Sequence, residues 1–344
     1  MLARIYLETP HPFLLPEAES YTVHAREWSG YLVRVFPPRA SDSQQLVNVK
    51  GIELNGRPAF VGSILQLEFY AETFNRSVES DYDPPLTLVR DVANDFLKRI
   101  RFAGKAGAIR EIEFPECAWK LEYLTDEGSQ LPEETGLIRG RGTLKMAFSW
   151  IALDQQAWDL AHALPAQFEP PPWHSLLLDA SEHLPQVGPA LAIAGTAMEV
   201  FIASTLNALA TQSDLPEPWW IWINDRGNYL RDPSVDEQFG VLLKLLCGRS
   251  AKEVGEPWQS FVALKSARNK FVHTGTAVLG GGVVTATQAR KWIADLWTLT
   301  DLIREWLPED LQWPRPIQTN RTISVVMAVR EESRHAPRDP IAGS

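Results

Sequence analysis

The feature that most constrains this chain is a change of hydrophobic period across one proline-rich stretch. From Met1 to about Leu164 apolar and polar residues mostly alternate, the period of a half-buried strand. Beyond Trp173 apolar residues recur every three to four positions, the period of a helix packed on one side. One core rarely serves both patterns, and 344 residues suit two, because single cores stop growing near ~250 residues. Pro165 to Trp173, reading Pro-Ala-Gln-Phe-Glu-Pro-Pro-Pro-Trp, is stiff and cannot continue a helix. The expected layout is therefore an α+β domain at 1–164, mostly antiparallel β, a linker at 165–173 and an all-helical bundle at 174–308. An extension at 309–344, polar beyond Arg330, is expected to be partly disordered.

In the first part, Tyr21 to Phe36 alternates around Ser29-Gly30 and predicts a hairpin. Asn55-Gly56 predicts a second one between Val47 to Leu54 and Ala59 to Leu67, since both central residues of such a turn take positive φ. Further strands are expected at Ala108 to Phe114, Ala118 to Leu124 and Leu137 to Trp150. After Pro84-Pro85, the spacing of Leu86, Val89, Ala93, Phe96 and Ile100 predicts a helix, and another is expected to reach Leu164. No nucleotide-binding loop, zinc helix or nucleophile elbow is present.

Helix punctuation is clearer in the second part. Ser234 and Glu237 make a capping box ahead of Phe239, Leu242, Leu243 and Leu246, and Gly248 ends that helix. Pro257 suits the first turn of the next, which runs through Trp258, Phe261, Leu264 and Phe271 to Gly275. Thr285 and Gln288 open a last helix with Trp292, Leu296, Leu299, Ile303 and Trp306 on its stripe, closed by Pro308.

Two cysteines, Cys117 and Cys247, build neither a disulfide framework nor a cysteine zinc site, so a reducing compartment, the cytoplasm, is expected. The remaining histidines, His11, His24, His162, His174, His183 and His335, have no metal-ligand spacing, and no cofactor is expected. Glu8, Pro10 and Pro12 interrupt the start before a signal-like apolar stretch forms. The apolar run Pro189 to Ala210 carries Glu199 at its middle, which favours a buried helix over a membrane span. A net charge of −10 opposes loose binding to phosphate while allowing a local basic cleft.

Two charges break the apolar pattern of the helical part. Arg268 follows Phe261 and Leu264 at helical spacing, so it lies on the stripe rather than the wet face. Glu199 sits among Ala192, Gly195, Ile202 and Leu206. Each needs a partner if buried, and the economical arrangement is a Glu199–Arg268 ion pair. Asn269 and His273, four residues apart, share the adjacent face near the helix end at Gly275.

Arg268-Asn269-Lys270-Phe271-Val272-His273 is an R-x4-H pattern, and it resembles the motif of the HEPN superfamily, including the polar residue after the arginine. The surroundings, from about Ser175 to Leu307, resemble the family in their order: an Ala-rich helix with Thr196-Ala197-Met198-Glu199, the capped helix, the motif helix, a Gly-rich loop and a terminal amphipathic helix. The resemblance implies a HEPN-like helical bundle and metal-independent RNA endonuclease activity. It implies that His273 acts as general base or acid on the RNA 2′-hydroxyl, that Arg268 holds the scissile phosphate and that Asn269 orients it. It further implies a homodimer, and by analogy a toxin or anti-phage defence effector with an antitoxin partner. The alternative is a non-catalytic HEPN-like module that dimerises while the β-rich domain recognises a partner.

Each signal has a plainer reading. Lys265, Arg268, Lys270 and His273 are also residues that a helix C-terminus recruits to complement its dipole. Lys265 and Lys270, with Lys98, Arg99 and Arg101, are candidates for guiding RNA. Lys105, Arg110, Arg139, Arg141 and Lys145 would extend that surface, or form a solvated face. Trp219, Trp220 and Trp222 precede a turn at Asp225-Arg226-Gly227 and are expected to plug a gap between helices rather than stack bases.

Overall fold

A computed structural model describes residues 1–40, 49–74, 82–114, 117–125, 151–166, 168–224, 232–317 and 323–327. The chain divides into two compact units: Met1–Val89, Ile112–Gln155 and Thr319–Ser344 form the first, and Arg90–Glu111 with Gln156–Gln318 the second.

The first unit is an antiparallel sheet threaded by its N-terminal strand. β1 (Leu2–Pro16) pairs along one edge with β5 (Arg57–Tyr70), from Leu2↔Tyr70 to Pro16↔Ala59, and along the other with β6 (Trp119–Leu124). The far edge of β5 is shared by β3 (Tyr31–Arg39) and β4 (Val49–Leu54). β2 (His24–Trp28) lies outside β3 and β10 (Ile323–Met327) outside β4, while β7 (Ile151–Ala152) meets β1 in parallel at Phe13 and Leu14.

Alternation decides the faces. Ala3, Ile5, Leu7, Val33, Val35, Leu65, Leu67 and Phe69 are all buried. The opposite face carries an alternating charge row, Arg34–Glu68–Arg4–Glu122, directly across four strands. Both hairpin turns have the paired positive φ that their sequences require: Ser29 48° and Gly30 84°, Asn55 54° and Gly56 73°.

β1 is the element that pattern reading passed over. Two prolines in its middle look like breakers, but Pro10 and Pro12 fall between Glu8 and Phe13, where the register of β1 against β5 shifts. A bulge there spares the prolines from donating ladder hydrogen bonds. The strand expected at Ala108 to Phe114 does not form. Its start is taken up by turn bonds, Ala106 N to Arg101 O at 3.0 Å and Ile109 N to Ala106 O at 3.2 Å, which satisfy the backbone locally. The strand expected at Leu137 to Trp150, with Arg139, Arg141 and Lys145, lies outside the described residues, as does Asp225-Arg226-Gly227.

The second unit is helical. It comprises most of α1 (Leu86–Ala103), then α2 (Gln155–Ala163), α3 (Pro172–Glu182), α4 (Val187–Gln212) and α5 (Glu217–Asn224). α6 (Val235–Glu237) passes through a π-helical turn, Gln238–Leu242, into α7 (Leu243–Cys247). α8 (Glu256–Thr274), a short β8–β9 hairpin (Val278–Leu279, Gly282–Val283) and α9 (Ala286–Arg304) complete it.

α4 is the spine, packed against α3, α8 and α9. It is apolar on nearly every side, the mark of a core helix. Among the described residues it is the one helix long and apolar enough to cross a membrane, and half of its most apolar window is buried inside the protein. Phe201, Phe239 and Phe261 stack through the core, with ring centroids 6.2 Å and 5.0 Å apart. Both capping boxes form, with Ser234 N donating to Glu237 Oε2 at 2.7 Å and Thr285 N to Gln288 Oε1 at 2.9 Å.

The unit boundaries differ from the expected domains. α1 from Arg90 and α2 from Gln156 group with the helical unit, not with a 1–164 domain. Phe96 meets Trp158 at 5.0 Å and Arg99 Nη1 donates to Leu164 O at 2.9 Å. Pro165 to Trp173 is therefore not a spacer between bodies. Phe168 packs on Phe102 at 4.9 Å and Trp173 is buried in the helical core. Proline stops a helix without freeing the chain from the surface that it crosses. The segment after Pro308 is likewise structured where described: Trp313 meets Trp173 edge-on at 5.1 Å, and Ile323–Met327 joins the sheet.

Candidate functional site

α8 brings the R-x4-H residues to one helix end. Gly275 terminates it with φ 74°, its N–H donating to Phe271 O at 2.7 Å, so His273 stands in the last turn. At about 100° per residue, Lys265, Asn269 and His273 form one stripe, roughly 60° to 140° around the helix from Arg268. Burial follows that geometry. Phe261, Leu264 and Ala267 are buried, Arg268 is half-buried at the border, and Asn269, Lys270 and His273 are exposed.

Arg268 is set by the surface of α4. A Cβ added at Gly195 would lie 3.5 Å from Arg268 Cγ and Nε, so the arginine stem runs close along this glycine. A Cβ at Gly188 would lie 2.1 Å from the Phe271 ring, so the two helices also approach closely there. Gly188, Ala192, Gly195 and Glu199 follow at steps of four, three and four and share a face of α4. The small residues let α8 in, and Glu199 receives the guanidinium. Arg268 Nη1 lies 3.4 Å from Glu199 Oε1 and 3.4 Å from Asn269 Oδ1, while its Nε is buried without a partner.

The Glu199–Arg268 pair is less enclosed than its apolar neighbours suggest. Its side chains are 41% and 26% exposed, so water shares the charges. Both side chains therefore stand at the edge of the α4–α8 contact rather than inside it. His273 and Lys270 have no side-chain partner among the described residues. Lys265 Nζ is held against Asp236 Oδ2.

The candidate RNA-guiding residues of α1 are differently placed. Arg99 is buried, gripped by Asp95 through Nε at 2.6 Å and by Leu164 O, which makes it part of the packing and not a surface for RNA. Lys98 pairs with Glu169 at 2.5 Å and Arg101 with Asp179 at 2.8 Å. The three tryptophans divide. Trp220 packs on the core and donates its Nε1 to Asn207 Oδ1 at 2.8 Å, but Trp219 and Trp222 are 66% and 59% exposed, so they plug nothing among the described residues. An eight-residue helix with three tryptophans within four positions has only one face to bury.

Comparison with known proteins returns no match. No family model, no curated protein and no solved structure is significantly similar to this chain. The functional reading therefore rests on the residues themselves. Arg268 offers a guanidinium for bidentate phosphate contact, Asn269 an amide, and His273 an exposed imidazole. Among the described residues, no three His, Cys, Asp or Glu side chains cluster as a metal site would.

One polar residue was missed in the sequence. His174 is wholly buried in α3, with Phe102 and Trp297 on either side at 4.5 Å and 4.8 Å, and neither ring nitrogen has a partner. The only signal in the sequence was its place beside Trp173 on an apolar helical stripe.

Proposed function

We propose that this protein is a metal-independent RNA endonuclease of the HEPN type. The carrying observation is that Arg268, Asn269 and His273 share the capped end of α8, with Arg268 tethered by Glu199 and His273 exposed and unpartnered among the described residues. A structural arginine beside a carboxylate is common. An unengaged histidine two residues before the cap has no packing role to explain it.

In the proposed reaction the RNA 2′-hydroxyl attacks the adjacent phosphorus and the 5′-oxygen leaves, giving a 2′,3′-cyclic phosphate and a 5′-hydroxyl. His273 exchanges the proton, Arg268 neutralises charge on the phosphate and Asn269 orients it. One histidine serves one proton role, so two copies of α8 across a homodimer interface would supply acid and base together. The proposed setting is a toxin or defence effector restrained by an antitoxin.

The open setting of the site favours a second reading. Asn269 and His273 stand on an exposed helix face rather than in a cleft, which also suits a HEPN-like docking module without catalysis. One experiment separates the two. Purified protein in excess chelator should cleave single-stranded RNA and leave cyclic phosphate ends, and His273→Ala should remove cleavage while leaving thermal unfolding and oligomeric state unchanged. Intact RNA across a panel of substrates, with equal growth of cells expressing either form, would replace the nuclease with the docking module.

A further inference from the structure

A second site in the helical unit is independent of α8. Between the C-terminal half of α1, the turn after it and the length of α3 lies a cleft of about 650 Å3, a size typical of small-molecule pockets. Its walls carry paired charges. Lys98 meets Glu169, and Asp179 holds two arginines: Arg101 at 2.8 Å and, more loosely, Arg110 at 3.5 Å. Arg110 is 50% exposed.

The base of the cleft is short of acceptors. His174 lines it, shows no surface to solvent and has no partner for Nδ1 or Nε2, and the Nε of Arg101 is buried and equally unmatched. Donors left this way are each destabilising by about 1–3 kcal/mol, so such groups are uncommon without an occupant. Burial, reinforced by nearby Lys105 and Arg101, pushes the His174 pKa down to about 3, so the ring is neutral and one nitrogen is an N–H donor. α3 begins here as well, but its first turn offers little to an anion: Pro171 and Pro172 have no N–H, and the N–H groups of His174 and Ser175 donate to Pro171 O at 2.9 Å and 3.4 Å.

We propose that this cleft binds a small molecule through an oxyanion, carboxylate or phosphate monoester, seated beside Arg110, with Arg101 and His174 as the donors beneath. The oxyanion takes the place of Asp179 at Arg110, the weaker of its two contacts, while Asp179 stays on Arg101. Small side-chain shifts over His174 accompany seating, because the ring is covered in the unliganded protein. Glu111 and Glu169 border the same cleft, so the rest of the molecule is neutral or carries an ammonium group, and a bare multivalent anion fits poorly.

The test is isothermal titration of the full chain at constant ionic strength with glycerol 3-phosphate, glycine and inorganic phosphate, with sodium chloride as blank. Saturable one-site binding of glycerol 3-phosphate identifies the phosphate-monoester source, and of glycine the carboxylate source, with inorganic phosphate weaker than either. His174→Phe, which keeps a ring between Phe102 and Trp297 but removes both nitrogens, should weaken binding at least tenfold without lowering Tm. Arg110→Gln, a half-exposed change, should weaken it severalfold. Absence of saturable binding for all three probes, or equal affinity in the wild type and both variants, overturns the proposal. No RNA enters the assay, so its outcome is separate from that of the nuclease reading.

Discussion

Replacing Gly188 by Ala and Gly195 by Ala makes the same chemical change on the same face of α4 and should move stability in opposite directions. At Gly195 the new Cβ would lie 3.5 Å to 3.6 Å from Arg268 atoms, an ordinary contact. The helix gains the difference in backbone freedom between glycine and alanine, roughly 0.5–1 kcal/mol. At Gly188 the new Cβ would lie 2.1 Å, 2.4 Å and 2.6 Å from three Phe271 ring carbons. Ordinary carbon contacts begin near ~3.5 Å, so the ring must move by about 1.4 Å.

Overpacking of this kind costs about 1–3 kcal/mol, and Phe271 is only half-buried, which favours the lower part of that range. Pro189 follows, and a Cβ on the residue before proline disfavours helical backbone, so the propensity gain is largely cancelled. The net expectation is about 1–2 kcal/mol destabilisation for Gly188→Ala, against up to about 1 kcal/mol stabilisation for Gly195→Ala. Urea titration followed by far-UV circular dichroism reads both values. A Phe271→Leu background should shrink the Gly188 penalty. Equal and stabilising effects at both glycines would refute the close approach of α4 and α8 on which the placement of Arg268 depends.

Three other outcomes are expected. A double-mutant cycle with Glu199→Gln and Arg268→Gln should return about 0.2–1 kcal/mol of coupling that shrinks in added salt, since both partners are part-exposed; 3 kcal/mol or more would mean a dry pair. Arg99→Ala, in contrast, should cost about 3–5 kcal/mol, because it strands Asp95 and Leu164 O beneath the surface, whereas Lys98→Ala should stay near the surface-pair range of about 0–1 kcal/mol; similar losses for the two would contradict the packing of α1. His174 has a folded pKa lowered to about 3 from 6.5, so the unfolded chain binds its proton first as pH falls. Stability should therefore decline between about pH 6.5 and 3, by up to roughly 1.4 kcal/mol per pH unit from this group, and pH-dependent denaturation of His174→Phe should lose that component; an unchanged slope would place the histidine in water.

Much of the local structure was legible because it depends on neighbours in sequence. The Ser29-Gly30 and Asn55-Gly56 turns, the capping boxes at Ser234 and Thr285 and the glycine stops at Gly248 and Gly275 all rest on φ preference or on hydrogen bonds within a few residues. The Glu199–Arg268 meeting was legible for a related reason, as two charges on apolar stripes that each needed a partner. Its half-exposure was not, because helical period assigns a residue to a face but does not say where two packed helices part. The same limit explains Arg99. Beside Lys98 and Arg101 it reads as one more surface cation, and only the return of the chain at Leu164 encloses it.

Which segments share a core was decided by tertiary structure alone. Pro10 and Pro12 argue against a strand until the bulge between Glu8 and Phe13 removes their ladder positions, and β1 then pairs on both edges, with β5 and with β6. Pro165 to Trp173 stops helices, as its residues dictate, yet it lies against α1 and feeds Trp173 into the helical core instead of joining two bodies. Ile323–Met327 comes back from the far end of the chain to pair with β4, a contact across more than 260 residues that no local pattern encodes. Sequence by itself determined most of the element types, most of their ends and the grouping of Arg268, Asn269 and His273 near one helix end, because backbone preference and side-chain period act over one or two turns. Long-range burial then decided which elements share a core and which polar groups are left beneath it, including His174, because the free energy of removing apolar surface from water belongs to the whole packed assembly and not to any stretch of chain.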